Sequence, residues 1–386
     1  MLEYLKNCIE EKKSTNIVYL GGSITEGQGV SDKRLCWQGL LQSFLENSFP
    51  VCCFQAVNAG IGGTDSGFGA FRMERDVLPY EPDLLFVEYA VNDYMKIADA
   101  VEDALEGILY KLWNSNSQAD VIFVLTTTEK MAVENYDKGQ LPESVAVHCR
   151  VADRYGIPYL NVGSLLLEHC KKTGEKLTHF LPDTVHPGKE GYRMYFTFLK
   201  EQLTLWLKEE GRCGEEAAGK TEAYLAARKR LLEAAESAVW EKASEERSGE
   251  TMNGRRNPYF RCRMANAHQA VLQGFVKEYI AMCGRFAPYV SSCRQGDLLE
   301  FAFEGDKIGI FYMVSSDGGM MEWSLDGGEW NMLSAWDTYA RAFDRGSVKM
   351  LAEGLETGEH VLRIRSTGEK MTESCGNFIR IADFLL

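Results

Sequence analysis

The stretch "NIVYLGGSITEGQG" (Asn16–Gly29) decides how the first half of this chain reads. Residues 16–20 form a nearly continuous apolar run, the pattern of a parallel strand covered on both faces. Gly21 and Gly22 then permit a tight turn, and Ser23 follows at the strand's carboxyl end. Ligands in open α/β sheets bind beyond that end. Alone, the stretch has two readings. Gly-Gly-Ser is a structural turn, or Ser23 is displayed to react, with the free amides of a following helix stabilising negative charge beside it.

The same kind of run recurs at 51–57, 83–89, 121–125 and 157–162. Helical periodicity fills the intervals at about 34–48, 68–78, 97–114, 142–155 and 163–173, and a last helix over 188–208 follows Pro187. This alternation predicts a doubly wound, five-stranded parallel α/β sheet of the flavodoxin-like type over residues 1–208. Residues 209–256 are rich in Glu, Ala, Lys and Arg. Leu225, Leu232 and Val239 recur there at a seven-residue spacing, with Tyr224 and Leu231 beside them, predicting an amphipathic helical linker. Self-association through this helix leaves a homo-oligomer open. From 257 to 386 the period becomes two, as in "LLEFAFEG", "KIGIFYMV" and "HVLRIRS". Asp-Gly-Gly at 317–319 and 326–328 are hairpin signals. The expectation is an antiparallel β-sandwich, jelly-roll-like, as an accessory domain.

At 386 residues the chain is too long for one ordinary core. Its formal charge of −14 opposes nucleic-acid binding, which needs a basic footprint, and docking on an anionic membrane. "MLEYLKNCIEEKK" lacks the features of a signal peptide, which predicts a cytoplasmic location. The 11 cysteines form no C-x-x-C, and the histidines outside the site show no zinc-ligand spacing, so neither a metal nor another cofactor is expected.

Three later segments bear on Ser23. "NAGIGGTDSGFG" (58–69) exposes backbone N–H groups in a glycine-rich loop after the second strand. It lacks the Lys of a P-loop. "EYAVND" (88–93) puts Asn92, whose amide can donate to an oxyanion, beyond the third strand. In "LPDTVHPGKEGY" (181–192), Asp183 precedes His186 by three residues. It can accept from Nδ1–H, fix the tautomer and leave Nε2 as a base. His179 is a nearby rival.

Taken together and in this order, the segments resemble the four blocks of the SGNH hydrolase superfamily, the GDSL-type esterases. "GGSITEG", "NAGIGGT", "AVND" and "DTVHP" carry the resemblance, which spans about residues 14–205. It implies Ser23 as nucleophile, His186 as base and Asp183 as its orienting partner. It also implies an oxyanion hole of the Ser23 N–H, the Gly63 N–H (Gly62 as alternative) and the Asn92 amide. Gly22 stands where the family usually has Asp, and Ala90 where it usually has Gly. Gly62, Asp93 and, in the long connection at 126–141, Met131 and Tyr136 are candidate substrate contacts.

The C-terminal pattern resembles the jelly-roll module of family-two carbohydrate esterases. With Trp323, Trp330, Trp336 and Tyr339 as candidate sugar platforms, it implies hydrolysis of small acyl esters, especially acetyl, on an oligosaccharide or other small carbohydrate. The competing expectations are a lysophospholipase or thioesterase of the same superfamily, and a non-catalytic carbohydrate-binding protein.

Overall fold

A computed structural model describes residues 2–11, 13–208, 223–234, 257–282 and 285–386. They form two compact units, Met1–Arg261 and Cys262–Leu386.

The first unit holds five parallel strands: β1 Ser14–Gly21, β2 Cys53–Gly60, β3 Leu84–Glu88, β4 Asp120–Val124 and β5 Tyr159–Leu160. They lie in the order β2-β1-β3-β4-β5. Its helices are α1 Glu3–Glu10, α2 Ser23–Glu26, α3 Trp37–Ser48, α4 Ser66–Phe71, α5 Met73–Asp76, α6 Ala98–Ser115, α7 Glu129–Glu134, α8 Glu143–Tyr155, α9 Val162–Thr173, α10 Leu177–Phe180 and α11 Lys189–Lys208. The continuous apolar runs are covered on both faces: Ile17 to Leu20 and Leu84 to Val87 are all buried. Tyr19 stacks on Phe86 at 5.0 Å, and Trp37 of α3 meets both rings edge-on. Each such side chain contributes roughly 1.5–3 kcal/mol by leaving water. On α11, Tyr192, Tyr195, Leu199, Leu203 and Trp206 form the buried stripe.

Strand register places the site. Gly21 pairs with Gly60 on one side and with Glu88 on the other. Three strands therefore end level, and the segments carrying Ser23, Gly63 and Asn92 leave the sheet together.

The helix expected over 68–78 is broken into α4, α5 and a 3-10 turn at Leu78–Tyr80. At the first break, Arg72 leaves helical geometry, and its fully buried guanidinium reaches the Gly21 carbonyl, the Tyr89 hydroxyl and Asp76. A helix over 223–234 packs on the first unit. Its buried face is Ala227 and Leu231, with Arg228 over the Trp113 ring at 4.4 Å. Leu225 is exposed, so the expected seven-residue stripe is not the packed face; Val239 lies outside the described residues. Residues 257–261 dock on the same unit. Asn257 donates to the Asp103 carbonyl, and the Tyr259 ring meets Phe71 edge-on.

The second unit is the antiparallel β-sandwich. Its strands are β6 Met264–Asn266, β7 Val271–Gln273, β8 Val276–Met282, β9 Arg285–Ser292, β10 Leu298–Val314, β11 Met320–Leu325, β12 Asn331–Ser334, β13 Arg345–Ser366 and β14 Ile379–Leu385. The two alternating runs "LLEFAFEG" and "KIGIFYMV" are one long strand, β10, paired with β13 through two register shifts. Leu299, Phe301, Phe303, Ile308, Ile310, Tyr312 and Val314 project into the core. The two Asp-Gly-Gly signals diverge. At 326–327 both residues have positive φ, and the turn joins the paired strands β11 and β12. At 317–319 the turn links β10 to β11, which are not neighbours. Of the proposed sugar platforms, Trp336 is buried and Trp323 packs partly buried on the core, whereas Trp330 and Tyr339 are exposed.

Candidate active site

Gly22 ends the turn after β1, and Ser23 opens α2. The Ser23 Oγ lies 2.8 Å from His186 Nε2, and His186 Nδ1 lies 2.7 Å from Asp183 Oδ2. The other carboxylate oxygen, Oδ1, accepts the N–H groups of Val185 (3.0 Å) and His186 (2.6 Å). Burial pushes the Asp183 carboxyl up, but the backbone and imidazole donors of His186 and the Val185 N–H outweigh it. The net shift is below the ordinary aspartate range. An ionised carboxylate only accepts, so Nδ1 carries the proton and Nε2 is bare toward the serine hydroxyl.

Local backbone holds this geometry. Thr184 adopts a left-handed conformation, φ 71°, and donates to the Leu181 carbonyl. Its own carbonyl accepts from Glu129 N–H at 2.9 Å, tying the segment to α7. A non-glycine residue there costs on the order of 1–3 kcal/mol, a strain that clusters at functional sites. Here it folds Asp183 back beside His186. Opposite, Gly29 has φ 92°, and a β-carbon there would collide with the Pro187 carbonyl.

Three N–H donors on the segments around Ser23 have no hydrogen-bond partner among the described residues: the Ser23 and Gly63 amides and the Asn92 side chain. The Gly62 N–H is engaged, donating to Glu26 Oε2 at 2.7 Å. Gly63 (φ 73°), rather than Gly62, therefore carries the free loop amide. Gly62 instead flanks the serine: a β-carbon on it would lie 3.5 Å from Ser23 Cβ. The Asn92 amide rests directly against Gly22. A β-carbon at 22 would fall 2.8 Å from Asn92 Cγ, 3.1 Å from Nδ2 and closer still to Oδ1.

Beneath the turn lies a polar layer that sequence reading missed. Glu88 is fully buried and accepts from Thr25 Oγ1 (2.9 Å) and Thr126 Oγ1 (2.7 Å). Burial pushes its carboxyl up to about 7 against those hydrogen bonds. Arg72 holds the Gly21 carbonyl from below. The available signal was a charged residue in apolar company, Glu88 within "LLFVEYAV" and Arg72 within "FGAFRM".

Several proposed contacts are corrected. Met131 is fully buried in α7, and Asp93 is 1% exposed, turned inward to accept from Ser66 N–H at 3.0 Å. Neither side chain faces a substrate. Tyr136 is half-buried, with its hydroxyl paired to the Asn161 amide. His186, not the exposed His179, meets Ser23.

Ser23 Oγ can pass its proton to His186 Nε2, and an unpartnered N–H group can donate to a negative oxygen. That is the equipment of acyl transfer.

Residues 19–194 match the GDSL-like lipase/acylhydrolase family. No curated protein sequence matches the chain significantly. Across both units the fold is similar to that of a two-domain esterase (CEX) active on acetylated mannans. In its co-crystal with mannopentaose the TM-score is 0.73 at 22% identity, covering 99% of this chain and 94% of that one. In a second crystal structure of that esterase the values are 0.72 and 21%, with 100% and 95% covered. The acetyl xylan esterase AlAXEase is similar over 49% of this chain and 99% of its own, at TM-score 0.42 and 22% identity.

Proposed function

We propose that this chain, whose N-terminal unit belongs to the GDSL-like lipase/acylhydrolase family and is a carboxylic ester hydrolase, removes acetyl or similarly small acyl groups from carbohydrates through an acyl-enzyme on Ser23. The observation that carries it is the hydrogen-bonded chain from Ser23 Oγ through His186 to Asp183, opening beside three unpartnered N–H donors.

In this reading His186 Nε2 takes the Ser23 proton as Oγ attacks the ester carbonyl. The oxyanion forms against the Ser23 and Gly63 amides and the Asn92 side chain. His186 returns the proton to the departing sugar alkoxide. Water then attacks the acyl-enzyme by the same route, and acid and alcohol are released. Asp183 keeps the imidazole in the productive tautomer and stabilises its charged form. The acetyl-sugar assignment is supported by the fold shared with the mannan esterase in both units and by the exposed rings of Trp330 and Tyr339.

Hydrolysis of p-nitrophenyl acetate, butyrate and octanoate by wild type and Ser23→Ala tests the chemistry. Acetate is expected to be the best substrate, and Ser23→Ala to fall to background; equal rates for the two proteins would remove the serine mechanism. Acetylated manno-, xylo- and gluco-oligosaccharides test the substrate class. Turnover confined to the octanoate ester would move the assignment to lipid or thioester substrates.

A further inference from the structure

Behind the donor site, two buried groups face each other unused by this chemistry. Asp93 follows Asn92 in the turn after β3, and His148 lies on α8; both side chains are essentially free of solvent. Asp93 Oδ1 accepts from Ser66 N–H, at the start of α4. His148 Nδ1 lies 2.8 Å from the Ser144 carbonyl, which only accepts, so Nδ1 carries a proton. Ser144 Oγ in turn donates to the Ala90 carbonyl at 2.7 Å. Asp93 Oδ2 and His148 Nε2 remain, 3.6 Å apart, each buried without a hydrogen-bond partner. Closing that gap by about 0.7 Å makes a normal hydrogen bond and relieves both groups.

We propose that Asp93 and His148 share one proton and act as positioning residues, locking the Gly63 loop and the Asn92 turn in register so that both oxyanion donors point at one spot. Asp93 is the joint. It grips Ser66 N–H, three residues beyond Gly63, while its own backbone carries Asn92. His148 and Ser144 fasten that joint to α8. With Nδ1–H committed to a carbonyl, a neutral His148 offers Nε2 as an acceptor, and the matching donor is a protonated Asp93 Oδ2–H. Burial acts the same way on both groups, raising the Asp93 carboxyl to about 8 and lowering the His148 imidazole to about 4. The other titratable groups facing Asp93 are Asp65, whose charge raises it further, Lys96, which opposes this and is ion-paired to Asp65, and the Tyr89 hydroxyl. Ionised, Asp93 sets a carboxylate against the bare Nε2 lone pair and loosens the joint. This role rests on the serine-esterase reading; the protonation of the pair does not.

The test compares Asp93→Asn and Asp93→Ala with wild type in steady-state kinetics across pH. Asn keeps an oxygen for Ser66 N–H and gives His148 Nε2 an N–H donor. Alanine supplies neither. Asp93→Ala is expected to lose about 10²-fold in kcat with KM little changed, because the donors act on the transition state. Asp93→Asn is expected to recover most of that loss. Wild type is expected to lose kcat as pH rises through about 8, where Asp93 ionises, and Asp93→Asn to lack that fall. Equal damage by Asn and Ala, or an unchanged alkaline fall in Asp93→Asn, would overturn the proposal. Should Asp93→Ala fail to fold, the Asn variant alone decides through its pH profile. In the resting wild-type protein, 15N NMR of His148 is expected to show Nδ1 protonated and Nε2 bare at neutral pH, and protons on both nitrogens would overturn the shared-proton assignment. If Ser23→Ala retains full activity, the esterase reading fails by itself, and the NMR result still decides whether the pair shares one proton.

Discussion

Gly22 lies against the Asn92 amide, and these surroundings predict the effect of filling it. In Gly22→Ala the new methyl would lie 2.8 Å from Asn92 Cγ and 3.1 Å from Nδ2. Ordinary carbon contacts begin near 3.5 Å, so the amide must retreat by about 0.5–1 Å. Gly22 has φ −89°, outside the left-handed region, so its φ does not bar a side chain. Nor does the core, because the displaced group is the free end of a side chain. The cost therefore falls on rate rather than on stability. Misplacing a reacting group by about 1 Å costs about 10²-fold, and losing an oxyanion donor outright costs about 10²–10³, or about 2.7–4 kcal/mol. The assay is kcat/KM on p-nitrophenyl acetate for wild type, Gly22→Ala, Asn92→Ala and the double variant, with thermal melts alongside. Gly22→Ala is expected to fall about 10²-fold without loss of Tm. In the Asn92→Ala background it is expected to cost almost nothing, because the group it displaces is gone. Additive losses in the double variant, or a single-variant rate within about twofold of wild type, would refute the steric reasoning.

Other perturbations follow from the same geometry. Asp183→Asn is expected to lower kcat by about 10⁴-fold: its oxygen stays with the Val185 and His186 amides, so its NH2 faces His186 Nδ1 and forces the wrong tautomer. Recovery of most activity in that variant would argue against Asp183 as the orienting group. Glu88 holds its proton in the folded state up to about pH 7, against an ordinary value of 4.5. Its contribution to stability is therefore complete below about pH 4.5 and is lost as pH rises through 7, by at most about 1.4 kcal/mol per pH unit. Glu88→Gln, compared with wild type in urea melts from pH 4.5 to 8, is expected to lack that decline. On the helix over 223–234, Leu231→Ala is expected to destabilise by about 2 kcal/mol, and exposed Leu225→Ala by less than about 0.5 kcal/mol. The reverse order in urea melts would mean the helix does not pack by its Ala227–Leu231 face.

What could be read from the sequence and what could not differ in kind. Five apolar runs and their alternation with helices are local patterns, so the sheet was legible; the spacing of Asp183 and His186 was local too, and the structure sets both in a hydrogen-bonded line with Ser23. The choice between Gly62 and Gly63 was not, because it depends on Glu26, a side chain 36 residues away that takes the Gly62 amide. Asn92 and Asp93 illustrate the same limit at closest range. Successive residues of one turn point opposite ways, one toward the site and one into the protein, and the dipeptide does not say which. Met131 looked like a loop residue because its connection is long, yet α7 turns it inward. The glycines are the sharpest case. A glycine is required either for a positive φ or for the absence of a β-carbon, and the sequence records only that one stands there. Gly63 has positive φ and open space around it. Gly22 has negative φ and no space, because Asn92 fills it. The two Asp-Gly-Gly tripeptides split along the same line. At 326–328 the tripeptide makes a turn from positive φ at Asp326 and Gly327, whereas Gly318 is pressed against the Ala335 carbonyl. In this protein the two glycines thus answer separate demands, a positive φ at 63 and the absence of a β-carbon at 22, and each can be altered without the other.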